Sequence, residues 1–171
     1  MNPDRYIIRP AQFEDYRGIA SLEKECIPAP FNMDLHQIGY EIALPNRFAL
    51  VAVPETRVNG QVVGYLFSAL PSPRAPWIGL RVYRLGVTEL WRRRGIGRDL
   101  LHHAYRAAID VGGDTIHLEE VREINAAALA LYRSEGFETV LERDRDRNGT
   151  LGKVYAMEKK LIVDPGHKGW P

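Results

Sequence analysis

Apolar and polar positions change period several times along this chain, and each change marks an element. Tyr6 to Arg9 forms a short strand candidate ended by Pro10, after which Tyr16, Ile19, Ala20 and Cys26 fall near one face of a helix. Prolines at 28, 30 and 45 interrupt the next stretch, within which Leu35, Ile38 and Ile42 recur at near-helical spacing. Phe48 to Val53 and Val62 to Leu70 are apolar and rich in valine and aromatics, and the Asn59-Gly60 pair between them predicts a hairpin. Pro71, Pro73 and Pro76 form a loop, and Trp77 to Val87 reads as a third strand, antiparallel to the second.

Gly97, Leu100, Leu101, Ala104, Ala108 and Val111 follow the spacing of one helical face, stopped by Gly112-Gly113. Thr115 to Val121 is a strand, and Asn125 begins a helix that carries Ala128, Leu129 and Tyr132 and stops at Gly136. Thr139 to Arg143 and Val154 to Leu161 lie around the charged segment Asp144 to Arg147 and the turn pair Asn148-Gly149, which predicts a closing hairpin. Asp164 to Pro171 is expected to be a loose tail. The predicted order is β-α-α-β-β-β-α-β-α-β-β, an α/β architecture in which helices flank a central mixed, mostly antiparallel sheet.

A length of 171 residues suits one hydrophobic core, here residues 6–161, and therefore one domain. Hydrophobic residues make up 45% and charged residues 26%, so the chain has the composition of a folded protein rather than a disordered one. A formal net charge of +1 offers no global attraction to nucleic acid or to an anionic membrane, so any anion site must be local. The single cysteine, Cys26, excludes an intramolecular disulfide and fits a reducing, cytoplasmic setting. The N-terminus lacks an apolar stretch of signal-peptide length, and no segment approaches the roughly 20 apolar residues that span a bilayer. No two of the five histidines are spaced i, i+4, so no metal site is expected.

Candidate chemistry begins at Arg92-Arg93-Arg94-Gly95-Ile96-Gly97, between a strand and a helix. The first amides of a helix have no internal partners, the helix terminus carries partial positive charge, and Gly95 and Gly97 leave room for close backbone approach. Three adjacent guanidinium groups add to that field, and a pyrophosphate fits it. A Rossmann loop would need a third glycine and a position after a first strand, and a P-loop would need Gly-Lys-Ser/Thr; neither is present. A solvated arginine loop with a simple glycine turn is the alternative account of the string.

Arg92-x-x-Gly95-x-Gly97 matches the R/Q-x-x-G-x-G/A signature of the GNAT acetyltransferases, and Leu85-Gly86-Val87 resembles that family's splayed cofactor strand. The resemblance covers roughly Tyr6 to Leu161 and implies acetyl-CoA as acetyl donor, with no metal. It implies that main-chain groups of Leu85, Gly86 and Val87 bind the pantetheine arm, and that amides of Arg93, Arg94, Gly95, Ile96, Gly97 and Arg98 take the pyrophosphate. Further along, Glu120-Val121-Arg122-x-x-Asn125, then Leu131-Tyr132 and Gly136-Phe137, resembles the ribosomal-protein alanine N-acetyltransferases and related Nα-acetyltransferases. This implies Glu120 as general base, Tyr132 as general acid and Asn125 as a cofactor contact.

The chemistry asks for such groups. An acceptor amine titrates at about 7.7 to 8.0 as an α-amine or about 10.4 as a lysine, so its proton must leave before it attacks a thioester. A carboxylate can take that proton, a phenol can protonate the departing thiolate, and the Val87 amide could stabilise the developing oxyanion. Strand alternation puts Glu119 and Glu120 on opposite faces unless a bulge intervenes, so the residue pattern alone leaves the choice between them open. Each candidate also has a plain structural reading: an exposed carboxylate paired with Arg122, a packed tyrosine, and an asparagine N-cap.

The implied acceptor is a protein N-terminal α-amine, with a small-molecule amine as the alternative. Residues Glu142 to Arg147 alternate in charge without an aromatic, which departs from the paired tyrosines common in Nα-acetyltransferases, while Ile27 to Phe31 resembles the family's proline-aromatic acceptor loop or simply covers core residues. A catalytically silent CoA-binding module is the competing class. Arg92, Arg93 and Arg94 lack the aromatic platform that an RNA-binding role would require. The expected partners are acetyl-CoA and the amine, without nucleic acid or membrane, in a monomer or homodimer.

Overall fold

The computed structural model describes residues 5–56, 61–70, 79–144 and 152–162. Among them the elements run β1 (Tyr6–Pro10), α1 (Tyr16–Cys26), α2 (Leu35–Ala43), β2 (Arg47–Pro54), β3 (Gly64–Ala69), β4 (Leu80–Val87), α3 (Ile96–Asp110), β5 (Thr115–Arg122), α4 (Ala126–Ser134), β6 (Glu138–Asp144) and β7 (Lys153–Lys160). This is the order that the periodicity predicts. Two 3-10 turns, Phe13–Asp15 and Glu89–Trp91, are additional. The strands form one mixed sheet in the order β1-β2-β3-β4-β5-β7-β6, flanked by the helices. The Asn59-Gly60 turn, the prolines at 71, 73 and 76, Trp77, the Asn148-Gly149 turn and the tail lie outside the described residues.

Two compact units divide the chain: Met1–Ala69 with Arg84–His103, and Leu70–Tyr83 with Ala104–Pro171. In the first, β1, β2 and β3 pair antiparallel, with Tyr6 opposite Pro54 and Arg47 opposite Ala69. Every residue of β3 is buried, which explains why its sequence does not alternate apolar with polar; the one serine, Ser68, donates its hydroxyl to the Phe48 carbonyl at 2.9 Å. The buried face of α1 carries Ile19, Ala20 and Leu22, but also Glu23. Before it, Asp15 holds Arg9 by two hydrogen bonds of 2.7 and 2.9 Å and accepts from the Gln12 amide, which forms the 3-10 turn that no apolar period announces. At α2 the Asp34 side chain caps the Gln37 amide while Gln37 bonds back to the Asp34 amide.

In the second unit, residues 80–82 of β4 pair parallel with β5, Leu80 opposite Ile116 and Val82 opposite Leu118. The closing hairpin inserts β7 beside β5 and leaves β6 at the edge. Composition accounts for the choice. Strand β7 contributes the buried Val154 and Met157, whereas every residue of β6 is exposed and four of its seven are charged, the usual protection of an edge strand. Tyr105 and Tyr132 pack around Phe137 with ring centroids 6.3 and 5.7 Å away.

Burial along the second half of β4 puts Gly86 inside while Leu85 and Val87 are only half-buried. Gly86 is a glycine for a packing reason: a Cβ there would lie 2.4 Å from Cε1 of Tyr65 and 3.1 Å from Leu22. Tyr65 is fully buried and tethered through its hydroxyl to Glu23, so the ring has nowhere to retreat. Gly86→Ala should therefore cost about 1–3 kcal/mol of overpacking, read as a lower urea midpoint with an unchanged slope; wild-type stability would show that the ring is free to move.

Candidate active site

The loop from Val87 to α3 turns sharply into the helix. Arg93 has φ +61° and Gly95 φ +89°, both left-handed, so the chain reverses sharply before the helix. Only Gly95 adopts such a conformation without a Cβ penalty; Arg93 bears one. The first helical bond runs from the Asp99 amide to the Gly95 carbonyl at 3.0 Å, which leaves the amides of Ile96, Gly97 and Arg98 ahead of the helical ladder. Ile96 is 1% exposed, so its side chain anchors the first turn in the core while Arg92, Arg93, Arg94, Gly95 and Arg98 stay at the surface.

Three contacts missed by sequence reasoning hold this loop. The Tyr6 hydroxyl donates to the Asp99 carboxylate at 2.6 Å, tying β1 to the first turn of α3. Burial, with the hydrogen bond and negative charge of Asp99, pushes Tyr6 up to about 12. Arg92 donates from Nε to the Val87 carbonyl at 3.0 Å, and the Arg94 guanidinium lies over the Trp91 ring, 4.8 Å from its centroid. Arg92 thus braces the end of β4, a use for one of the three arginines that charge counting does not distinguish.

The last turn of α1 meets the same segment. Glu25 accepts from the Thr88 hydroxyl at 2.9 and 3.0 Å and from the Glu89 amide at 2.6 Å. The Cys26 thiol donates to the Val87 carbonyl at 3.5 Å, and burial pushes that thiol up, opposed by the neighbouring Arg92. Leu85 and Val87, whose side chains could have been purely core residues, are instead half-buried, so their strand is not sealed by its own packing.

In the second unit, strand alternation fails at the two glutamates. The β5–β7 register shifts between Leu118 and Val121, Glu120 has φ +55°, and both Glu119 and Glu120 are exposed. A bulge therefore intervenes, and alternation does not divide the pair. Their partners do: Glu119 bonds Arg81 at 3.0 Å, whereas Glu120 lies 3.8 Å from Arg143, a looser ion pair. The alternative structural reading pairs an exposed glutamate here with Arg122; Glu120 lies within ion-pair distance of Arg143 on β6.

Tyr132 is 7% exposed, and burial pushes its phenol up to about 12. Its ring packs on Phe137, and among the described residues its hydroxyl takes part in no hydrogen bond. Asn125 is the N-cap of α4, accepting from the Ala128 amide at 3.2 Å. The hairpin does hold an aromatic that the charge run concealed: Tyr155 of β7, opposite Glu142 of β6. Among the described residues no cluster of histidine, cysteine, aspartate and glutamate could hold a metal ion.

Amides ahead of the helical ladder, a glycine in the left-handed region and surface guanidinium groups have the chemistry that a diphosphate requires, and a half-buried strand leads into them. These are features that an acyl-CoA-binding transferase would use. The family model of the Acetyltransferase (GNAT) family matches residues 16–137. The chain is 36% identical over 133 residues to the N-alpha-acetyltransferase RimI of Mycobacterium tuberculosis, covering 77% of this chain and 73% of that protein. It superposes on the ribosomal-protein-S18-alanine N-acetyltransferase of Escherichia coli with a TM-score of 0.74 at 20% identity, covering 96% and 99% of the two chains. Arabidopsis thaliana NAA60 with a bisubstrate analogue gives a TM-score of 0.77 at 18% identity, over 94% and 100%. The chain belongs to the GNAT family and is an acetyltransferase that uses acetyl-CoA.

Tyr6 and Tyr132 should resist ionisation. Each folded value, about 12, lies above the ordinary value of 10, so the fold favours the protonated phenol. Their contribution to stability is complete below pH 10 and is lost as pH rises towards 12. Ultraviolet titration of the native protein should show Tyr6 and Tyr132 ionising late together with Tyr65 and Tyr105, whose phenols burial also pushes up, and Tyr6→Phe should remove one late-ionising tyrosine. Ordinary titration of every tyrosine would contradict the burial described here.

Proposed function

We propose that this acetyltransferase acts on a protein N-terminal α-amine, within one catalytic domain. The observation that carries the acceptor assignment is the 36% identity to an N-alpha-acetyltransferase over most of both chains. The exposed Glu120 and the half-buried Tyr155 across the hairpin register suit a peptide better than a closed pocket would. The alternating charges of β6 would then meet residues beyond the terminus.

In this reading, main-chain groups of Leu85, Gly86 and Val87 hold the pantetheine arm, and amides of Arg93, Arg94, Gly95, Ile96, Gly97 and Arg98, with Arg92 bracing the strand end, hold the pyrophosphate. Asn125 adds a cofactor contact beside its capping role. Acetyl-CoA supplies the activated acyl group. Glu120, directly or through water, takes the proton from the incoming amine. The phenol of Tyr132, kept protonated by burial, returns a proton to the leaving thiolate. Holding two substrates together supplies much of the acceleration.

The cytoplasm is the compartment that this reading assigns, supported by a single cysteine. No helix of the described residues is long and apolar enough to cross a membrane. The net charge of +1 supports a role without nucleic acid.

Incubation of the full chain with acetyl-CoA and a library of peptides with free N-termini, read by mass spectrometry, should show acetylation confined to the terminal amine. Acetylation of polyamines or aminoglycosides with peptides untouched would replace the acceptor assignment. Glu120→Gln and Tyr132→Phe should each lower kcat about a hundredfold with little change in CoA affinity; near wild-type turnover in both would remove their catalytic roles.

A further inference from the structure

Among the described residues, the most heavily buried charge outside the proposed chemistry is Glu23, 0% exposed on the core face of α1. A carboxylate in such a place requires compensating donors, and it has them from three directions. The Tyr65 hydroxyl of β3 donates to Oε2, the Met33 amide donates to Oε1 at 3.1 Å, and Nε of Arg84 lies 3.7 Å from Oε1. Arg84 in turn donates from Nη2 to the Phe31 carbonyl at 2.7 Å. Arg84 shares the inward register of β4 with Gly86, two residues on, which is why a charged side chain reaches Glu23 there.

These bonds close around one segment. Residues 27–33 leave α1 where Cys26 touches the Val87 carbonyl and return where Phe31 and Met33 are held by Arg84 and Glu23. The loop is therefore pinned at both ends to residues 84–87 of β4, the stretch that would carry the thioester end of the donor. The segment Ile27 to Phe31, which resembles the family's proline-aromatic acceptor loop, lies within this pinned stretch.

We propose that Glu23 is a positioning residue: with Arg84 and Tyr65 it fixes residues 27–33 over the donor strand and so sets affinity for the acceptor amine and its neighbours. The inference rests on the N-acetyltransferase reading above and adds a specificity determinant to it. Glu23 touches neither substrate; it acts through the backbone of Phe31 and Met33.

The test uses the full chain with an acetylated peptide acceptor's unmodified parent, saturating acetyl-CoA, and calorimetry with CoA alone. Arg84→Gln and Glu23→Gln should each raise the acceptor KM about tenfold, the scale of one lost charge-assisted hydrogen bond. The CoA dissociation constant should stay within about twofold, and amide exchange at Phe31 and Met33 should quicken. The double variant should be no worse than the worse single variant, because the groups act as one unit. A parallel loss of CoA and acceptor affinity would indicate a merely structural role and overturn the proposal. So would a folded Arg84→Gln with unchanged acceptor KM. Arg84 is partly exposed, with 24% side-chain accessibility, so that variant decides the matter even if Glu23→Gln fails to fold. Wild-type protein that acetylates no amine overturns the acceptor reading as well, whereas turnover with indifferent variants overturns this inference alone.

Discussion

An α-helix cannot supply acceptors for its own first amides, and the proposed donor site of this protein turns on how that deficit is left open. In the first turn of α3 the acidic side chain of Asp99 is engaged by Tyr6 from β1. Ile96 sinks into the core and fixes the direction of the helix axis, while left-handed residues at 93 and 95 turn the chain so that the amides of 96 and 97 precede the ladder. In the proposed function, an anion there would meet amides that lie ahead of the helical ladder, in a field that the helix terminus and the arginines both favour.

A second constraint is the cost of charge in the interior. Glu23 sits among apolar neighbours, and its compensation recruits a strand, a loop and a second strand at once. The same Tyr65 that satisfies the carboxylate occupies the space beside Gly86. Gly86 is therefore dictated by packing, whatever use its main chain has for a ligand. Glu25 and Cys26 extend the same helix end to Thr88 and Val87, so the termination of α1 and the donor strand are organised together.

On β5, a single extra residue decides the chemistry available. A regular strand would show one glutamate outward and bury the other, at a large desolvation cost. The bulge exposes both and separates them by partner, Arg81 for Glu119 and Arg143 for Glu120. The left-handed φ of Glu120 is the local strain that accompanies this arrangement. Tyr132 illustrates the complementary principle: burial keeps a phenol protonated, which is the state a proton donor requires.

Local physics determined much of this protein from sequence alone. Helices, strands and their order follow from periods of 3.6 and 2 and from glycine and proline, which act within a few residues; the Arg92 to Gly97 string marks the proposed donor loop because helix-end electrostatics is also local. Contacts between residues far apart in the chain leave no such period. Tyr6 meeting Asp99, Glu23 meeting Tyr65 and Arg84, and β7 entering between β5 and β6 are decided by which surfaces must be covered and which buried charges satisfied. Glu23 left one legible trace, a carboxylate interrupting the apolar face of α1, and Arg84 another, a cation at an inward position of β4. Only the tertiary structure could join them, because a buried charge is tolerable only where the rest of the chain delivers its partners.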